Sequence, residues 1–251
     1  MSGSDASVRQ TIILAAGVGA RLASFETGIP KPLLTVAGLP LVAHALAHAA
    51  ASGCDEAIVV VGHESDRVKA AIAALSSSIT VRFVETPDPS APNGHSLLAA
   101  KNVASSHFFL QMVDHLFADL VLPKLVAAPM NGHAGRVLVD SAPVGIDLSD
   151  ATRVQLSGER VTAIGKQVEP WDAIDAGCFV LTPAVFDALD SVPANEPRTV
   201  SSAMRLLAGN GSLFAVDLAG TRWIDVDTPG DREDAERLVG VVAGRAGTTG
   251  P

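Results

Sequence analysis

Thr11-Ile12-Ile13-Leu14 has the apolar, β-branched character of a buried strand and empties directly into Ala15-Ala16-Gly17-Val18-Gly19-Ala20-Arg21-Leu22. Small residues at a strand end let the backbone approach a ligand closely, and successive N–H groups in such a turn form a concavity for phosphate oxygens. Arg21 and Lys31 set two cations beside it, and Pro30 and Pro32 stiffen the backbone that presents the Lys31 ammonium. Two glycines alone would suit a plain strand-to-helix turn; the added cations, with no acid among them, point to a polyphosphate ligand. A dinucleotide fingerprint is excluded because Leu22 stands where its third glycine belongs, and no Gly-Lys-Ser/Thr follows Gly19 to make a P-loop.

Strand-like and helix-like periodicities then alternate. Pro40 to Ala51 repeats apolar residues at helical spacing, Ala57 to Gly62 reads as a buried strand and Ser65 to Leu75 as a helix. Ile79 to Glu85 is expected to be a strand, Ser96 to Ala104 a helix and Phe108 to Val113 a strand. Such βα units predict an α/β fold: a doubly wound, mainly parallel Rossmann-like sheet that binds ligands beyond the carboxyl ends of its strands. The second half changes character. Thr152 to Leu156 and Arg160 to Gly165 flank Ser157-Gly158 as a hairpin, Ala173 to Thr182 follows as a strand, and Pro183 opens a short helix. Ser212 to Leu218 and Thr221 to Val226 read as further strands before a last helix from Pro229 to about Val242. Residues 1–251 show no internal repeat and no linker, so one domain with an antiparallel, substrate-binding part is expected, with 1–9 and 244–251 disordered.

Composition narrows the partners. A net charge of −9 argues against nucleic-acid binding, and a chain with 4% aromatic residues and no tyrosine offers little for base stacking along a strand. An anionic protein that handles phosphates must gather its cations locally or use a metal. Cys54 and Cys178 have neither disulfide-framework nor zinc spacing and read as core thiols. No apolar run reaches the roughly 18 residues of a membrane span, and Met1 to Val8 is too polar for a secretion signal. A soluble, cytoplasmic protein without membrane insertion is expected.

Two acidic sites complete the reading. Asp114 ends the strand at Met112-Val113-Asp114-His115, where the ligand crevice of such a sheet lies; a helix cap or a solvated loop acid is the equal alternative. In Trp223-Ile224-Asp225-Val226-Asp227-Thr228-Pro229, period-two alternation puts Asp225 and Asp227 on one face, although Asp227 or Thr228 could simply cap the helix that Pro229 begins. Mg²⁺ takes one or two carboxylates and fills its other positions with water and phosphates. Asp114 and Asp227 are therefore the expected metal pair, with Asp225 in reserve. No serine or cysteine sits in a strained turn that would make Asp114-His115 part of a nucleophilic triad, so His115 is expected to be structural.

Leu14 to Leu22 with the following Lys31-Pro32-Leu33 resembles the signature of the nucleotidyltransferase superfamily that makes nucleoside-diphosphate sugars and alcohols. Ala20 departs from the Thr or Ser usual there, which removes one side-chain hydrogen bond and leaves the backbone donors. Pro92-Asn93-Gly94-His95-Ser96-Leu97, Met112 to His115, Ile164-Gly165-Lys166, Asp172 to Gly177 and Trp223 to Pro229 recur in the order seen in the CTP:inositol-1-phosphate cytidylyltransferases, a similarity that runs from about Gln10 to Leu238. The resemblance implies a nucleotide site at Leu14, Ala15, Ala16, Gly17 and Gly19, with Asn93, Gly94 and Ser96 around base and ribose. It further implies catalytic cations at Arg21, Lys31 and Lys166, an acceptor site at Asp175 and Gly177, and Mg²⁺ on the acids. CTP and a small phosphorylated acceptor would be the partners. The membrane-spanning phosphotransferase of the fused family members has no counterpart here, so that step is expected to need another protein. Read locally, Asn93-Gly94 is a turn, Lys166 a surface lysine and Asp175 a solvated strand residue. A phosphonate or sugar 1-phosphate acceptor and a noncatalytic nucleotide sensor are the competing readings.

Overall fold

The computed structural model describes residues 8–17 and 28–246. β1 (Gln10–Ala15) is followed by a single 3₁₀ turn at Lys31–Leu33, a small hairpin of β2 (Thr35–Val36) and β3 (Leu39–Pro40), and α1 (Leu41–Ala51). β4 (Glu56–Val61), α2 (Ser65–Ala73), β5 (Thr80–Glu85), α3 (Asn93–Ala99) and β6 (Phe108–Met112) continue the βα alternation. Then come β7 (His115–Phe117), α4 (Leu122–Leu125), β8 (Gly135–Asp140) and the hairpin of β9 (Arg153–Ser157) and β10 (Arg160–Gly165). β11 (Ala173–Leu181), α5 (Ala184–Asp190), α6 (Val200–Gly209), β12 (Leu213–Asp217), β13 (Trp223–Asp225) and α7 (Pro229–Ala246) complete the chain.

Nine strands form one sheet in the order β5-β4-β1-β6-β11-β8-β12-β10-β9. The pairs β4–β5, β1–β4, β1–β6 and β8–β12 are parallel, whereas β11 runs antiparallel to both β6 and β8, and β10 antiparallel to β9 and β12. Period-two alternation along β1 sends Ile13 and Ala15 to one face and Ile12, Leu14 and Ala16 to the other. The first face is covered by α1, α2, α4 and α7 through Leu41, Val68, Leu125 and Ala235, the second by α3, α5 and α6 through Leu97, Phe186 and Met204. Strands covered on both sides are buried throughout, as β1 and β8 are. Phe108 stacks on Phe186 at 5.8 Å, and burial of each ring contributes about 2–3 kcal/mol.

Three differences from the sequence expectation bear on the site. The helix expected at Ser96–Ala104 is Asn93–Ala99, because Pro92 caps it and the Asn93 Oδ1 accepts the Val200 amide at 2.9 Å. Asn93-Gly94 is thus a helix start held by a tertiary contact. β8 and α6 lie outside the alternation read from the sequence, although β8 is a central strand. At the ends, the Arg9 carbonyl accepts the Asp55 amide at 2.9 Å, and α7 runs on to Ala246, so residues 9 and 244–246 are structured; 1–7 and 247–251 lie outside the described residues.

A buried polar chain ties α1 to the sheet. Gln111 Nε2 donates to Thr11 Oγ1 at 2.9 Å, and its Oε1 accepts from His48 Nδ1 at 3.0 Å. The Val121 amide donates to His48 Nε2 at 3.1 Å, which fixes the imidazole as its Nδ1–H tautomer, and burial holds its pKa below the ordinary histidine value.

Candidate active site

The carboxyl ends of β1 and β6 open on one edge of the sheet. Antiparallel β11 delivers residues from its first half to the same edge, since Cys178 pairs with Gln111 and the preceding residues run on toward Asp114. The β8–β11 register shifts between Asp175 and Phe179, and Gly177 takes φ +73° within that irregularity.

Lys31 stands where these elements meet. It is 9% exposed, and its Nζ donates to Asp114 Oδ2 at 2.5 Å and to Asp227 Oδ1. Asp114 Oδ1 accepts from His115 Nδ1 at 2.8 Å. Asp225 Oδ1 lies 3.9 Å from that nitrogen, and although buried it accepts no hydrogen bond among the described residues. Burial alone would lower the Lys31 pKa, but Asp114, Asp225 and Asp227 outweigh it and hold the ammonium above the usual lysine value. Burial would raise Asp114, yet Lys31 and His115 hold its carboxyl well below the ordinary carboxylate range. His115 is raised to about 9, because the field of Asp225, Asp114 and Asp175 exceeds the burial that would lower it. Burial raises Asp225 to about 6 against the pull of His115.

The helix-cap alternative for the second acidic site resolves by division of labour. Thr228 Oγ1 accepts the Asp231 amide at 3.2 Å, and Asp231 Oδ2 accepts the Thr228 amide at 2.7 Å, a reciprocal capping box that starts α7. Thr228 and Asp231 therefore cap the helix, and the Asp227 carboxylate turns to Lys31.

Two cavities join at this point. The smaller, about 160 Å³, is lined by Leu14, Ala16, Gly17, Lys31, Asn93, Ser96 and Asp114 among others. The larger, about 440 Å³, is lined by His115, Asp175, Gly177, Trp223, Asp225 and Asp227, and shares Asn93 and Met112 with the first. Most of the residues expected from the sequence thus meet in one place. Ala15 does not line either cavity; it packs into the core below the first one. Gly94 is buried in packing: a Cβ there would lie 2.4 Å from the Arg198 carbonyl oxygen. Lys166 is exposed and bonds Asp150, a wall residue of the larger cavity, so it is not gathered with Lys31. Gly19 and Arg21 lie outside the described residues.

His115 is held by packing as well as by its bond to Asp114. Its ring stacks on Trp223 at a centroid distance of 5.3 Å, and a Cβ on Gly177 would come within 2.5 Å of it. Trp223 stacks in turn on Phe117 at 6.1 Å and Phe117 on His48 at 5.7 Å, so a column of rings runs from α1 to the site. The tryptophan of the Trp-Ile-Asp motif was the available sequence signal for this column.

Asp175 accepts the Gly177 amide at 2.8 Å, and burial pushes its carboxyl up to about 6. The proton is therefore held more tightly in the folded chain than in the unfolded one. Stability is full below the ordinary value of 3.8 and is lost as pH rises through 6. Asp175→Asn keeps an oxygen for the Gly177 amide and removes the titration. We expect the variant and wild type to melt alike near pH 4 and the variant to be more stable by roughly 3 kcal/mol at pH 8. Parallel Tm-against-pH curves would show that burial of Asp175 carries no such cost.

The site's chemistry suits a hard divalent cation. Ligand atoms of Asp114, His115 and Asp225 lie within 4.8 Å of one another, Asp227 is next to them on Lys31, and Asp225 offers a buried oxygen that has no partner among the described residues.

An α/β sheet that collects a buried lysine and several carboxylates at the carboxyl edge of its first parallel strands, beside two joined cavities, has the architecture of a nucleotidyltransferase. The chain belongs to the MobA-like NTP transferase domain family, whose model matches residues 11–147. It is 38% identical over 229 residues to the bifunctional IPC transferase and DIPP synthase of Rubrobacter xylanophilus, covering 90% of this chain and 51% of that one. It is 29% identical over 248 residues to the CMP-5'-(3-aminopropyl)phosphonate synthase of Streptomyces rubellomurinus, covering 92% of this chain and 39% of that one. The chain thus spans about half, or less, of the length of these relatives. The inositol-1-phosphate CTP transferase from T. maritima superposes with a TM-score of 0.84 at 23% identity, over 95% of this chain and 98% of that one, and so shares the fold. Among the described residues, no helix is long and apolar enough to cross a membrane.

Proposed function

We propose that this chain is a Mg²⁺-dependent cytidylyltransferase that moves CMP from CTP to a small phosphorylated alcohol, foremost inositol 1-phosphate, and releases pyrophosphate. The observation that carries the reading is the junction: Lys31, Asp114 and Asp227 stand where a smaller and a larger cavity meet. The choice of CMP is supported by the name of the S. rubellomurinus relative and the choice of acceptor by the ordered motif series from Pro92 to Pro229.

An acceptor phosphate oxygen in the larger cavity forms the bond to the α-phosphorus, and the bond from that phosphorus to the bridging oxygen of pyrophosphate breaks in line. The attacking phosphate is already ionised at neutral pH, so no side chain has to take a proton from it. Catalysis then rests on positioning and charge neutralisation. Leu14, Ala16 and Gly17, with Gly19 and Arg21, hold the triphosphate, while Asn93 and Ser96 line the nucleoside side and Gly94 lets α3 pack closely enough to place them. The Lys31 ammonium faces the charge that builds on the α-phosphate. Asp175 and Gly177 receive the acceptor, and Lys166 meets its phosphate from Asp150 at the cavity wall. When bound by Asp114 and Asp227, with Asp225 in reserve, Mg²⁺ supplies further neutralisation of phosphate charge. His115 orients Asp114. The reading includes a cytoplasmic location and a membrane transferase as consumer of the activated product.

The test is pyrophosphate release with Mg²⁺, pairing CTP, UTP, GTP, ATP and dTTP with inositol 1-phosphate, sugar 1-phosphates and small phosphonates. Release with CTP and inositol 1-phosphate alone is expected. Release with another acceptor would keep the chemistry and replace the substrate; nucleotide binding without release from any pair would favour a sensing role.

A further inference from the structure

Asp140 lies outside both cavities, at the end of β8, yet its contacts converge on the site. The residue is 6% exposed, and its carboxylate accepts one donor on each oxygen: the Ala142 amide at 3.0 Å and the Trp223 indole N–H at 2.8 Å. The first contact starts the segment whose Gly145, Ile146, Asp147 and Asp150 wall the larger cavity. The second holds the indole against the His115 ring, which in turn bonds Asp114 at 2.8 Å. An indole N–H only donates, and when buried it needs an acceptor. Without one, the ring is free to slide along the Phe117 and His115 faces.

From this geometry we infer that Asp140 is a positioning residue for nucleotidyl transfer, setting Asp114 through Trp223 and His115 while anchoring the acceptor-side wall. The inference rests on the proposed reaction but concerns only residues of this chain. An asparagine could not replace the aspartate: the two donors bond different oxygens, and an amide would turn its own N–H donors toward one of them. Residues that orient a metal-binding carboxylate from behind usually cost 10- to 100-fold in affinity or activity when changed.

The experiment compares wild type with Asp140→Asn, each in a Trp171→Phe background that leaves Trp223 as the only indole of the 2 tryptophans. Trp223 emission reports whether the indole bond is broken, the EPR signal of Mn²⁺ gives its affinity, and steady-state kinetics give kcat and both KM values. We expect shifted emission, Mn²⁺ affinity and kcat each lowered about 10-fold or more, a raised acceptor KM and a CTP KM within about twofold of wild type. Where Asp140→Asn does not fold, Trp223→Phe keeps a ring on His115 without the donor and is expected to give the same split between kcat and the CTP KM. A folded variant with a broken indole bond but wild-type Mn²⁺ affinity and kcat would overturn the inference, since Asp140 would then be structural alone. Should wild type turn over no nucleotide pair, the proposed reaction fails, and the Mn²⁺ affinities still decide the role of Asp140.

Discussion

Asp114→Ala is expected to lower kcat by about 1,000-fold or more while the protein stays folded. Asp114 bonds both buried cations of the site, Lys31 through Oδ2 and His115 through Oδ1. In the proposed reaction it also supplies a metal ligand, so its loss removes an anchor for the cation and the orientation of two neighbouring groups together. Breaking a buried ion pair ordinarily destabilises by about 3–5 kcal/mol. Here Asp227 still bonds Lys31, and Asp225 stays 3.9 Å from the His115 ring, so neither cation is left without an acid. The smaller cluster also loses a like-charge repulsion that raises Asp225. A Tm within a few degrees of wild type is therefore expected beside the collapse in turnover. Wild-type kcat in the alanine variant with Mg²⁺ present would remove Asp114 from the site.

Gly177→Ala is expected to damage both stability and turnover. At φ +73° a side chain is strained whatever the space around it, and the new Cβ would lie 2.5 Å from His115 Cδ2 and 2.6 Å from Nε2. The imidazole is already stacked on Trp223 and bonded to Asp114, so making room for the new Cβ disturbs these contacts. Backbone strain and overpacking together cost about 3 kcal/mol, and displacement of the ring is expected to lower kcat by about 10- to 100-fold. Gly158→Ala separates the two terms, because Gly158 has φ +61° with nothing within 4 Å of its Cβ position. That variant is expected to lose only the strain, about 1 kcal/mol, and to turn over normally. Equal effects at both positions would show that the His115 contact is immaterial.

Much of the architecture was legible because it depends on short-range pattern. The alternation through Phe108–Val113 and the strand at Ala173–Thr182 follow from runs of apolar residues whose spacing decides helix or strand within a few turns of chain. Asp114 could be placed at a strand end by the same logic. α3 was misplaced because Asn-Gly favours a turn locally, whereas the contacts of Asn93 with Val200 and of Gly94 with Arg198 are made across the sheet's covering helices. The motif series set Lys166 beside Lys31, whereas its ion pair with Asp150 at the wall of the larger cavity is a contact the local sequence does not mark. The work of Gly177 and Asp140 left no local mark, since a positive φ and a buried acceptor acquire meaning only from the ring they face.

Local pattern is enough to dictate an α/β sheet with a glycine-ended first strand, a stiffly mounted lysine and two acidic strand ends, because each depends on neighbours a few residues away. The tertiary structure alone decided that Lys31 lies between Asp114 and Asp227, 83 and 196 residues further along the chain. It alone decided, too, that Thr228 and Asp231 cap α7 so that Asp227 can turn to the lysine. Charges so distant in sequence meet only when the whole sheet has closed, and the burial that sets their protonation exists only then.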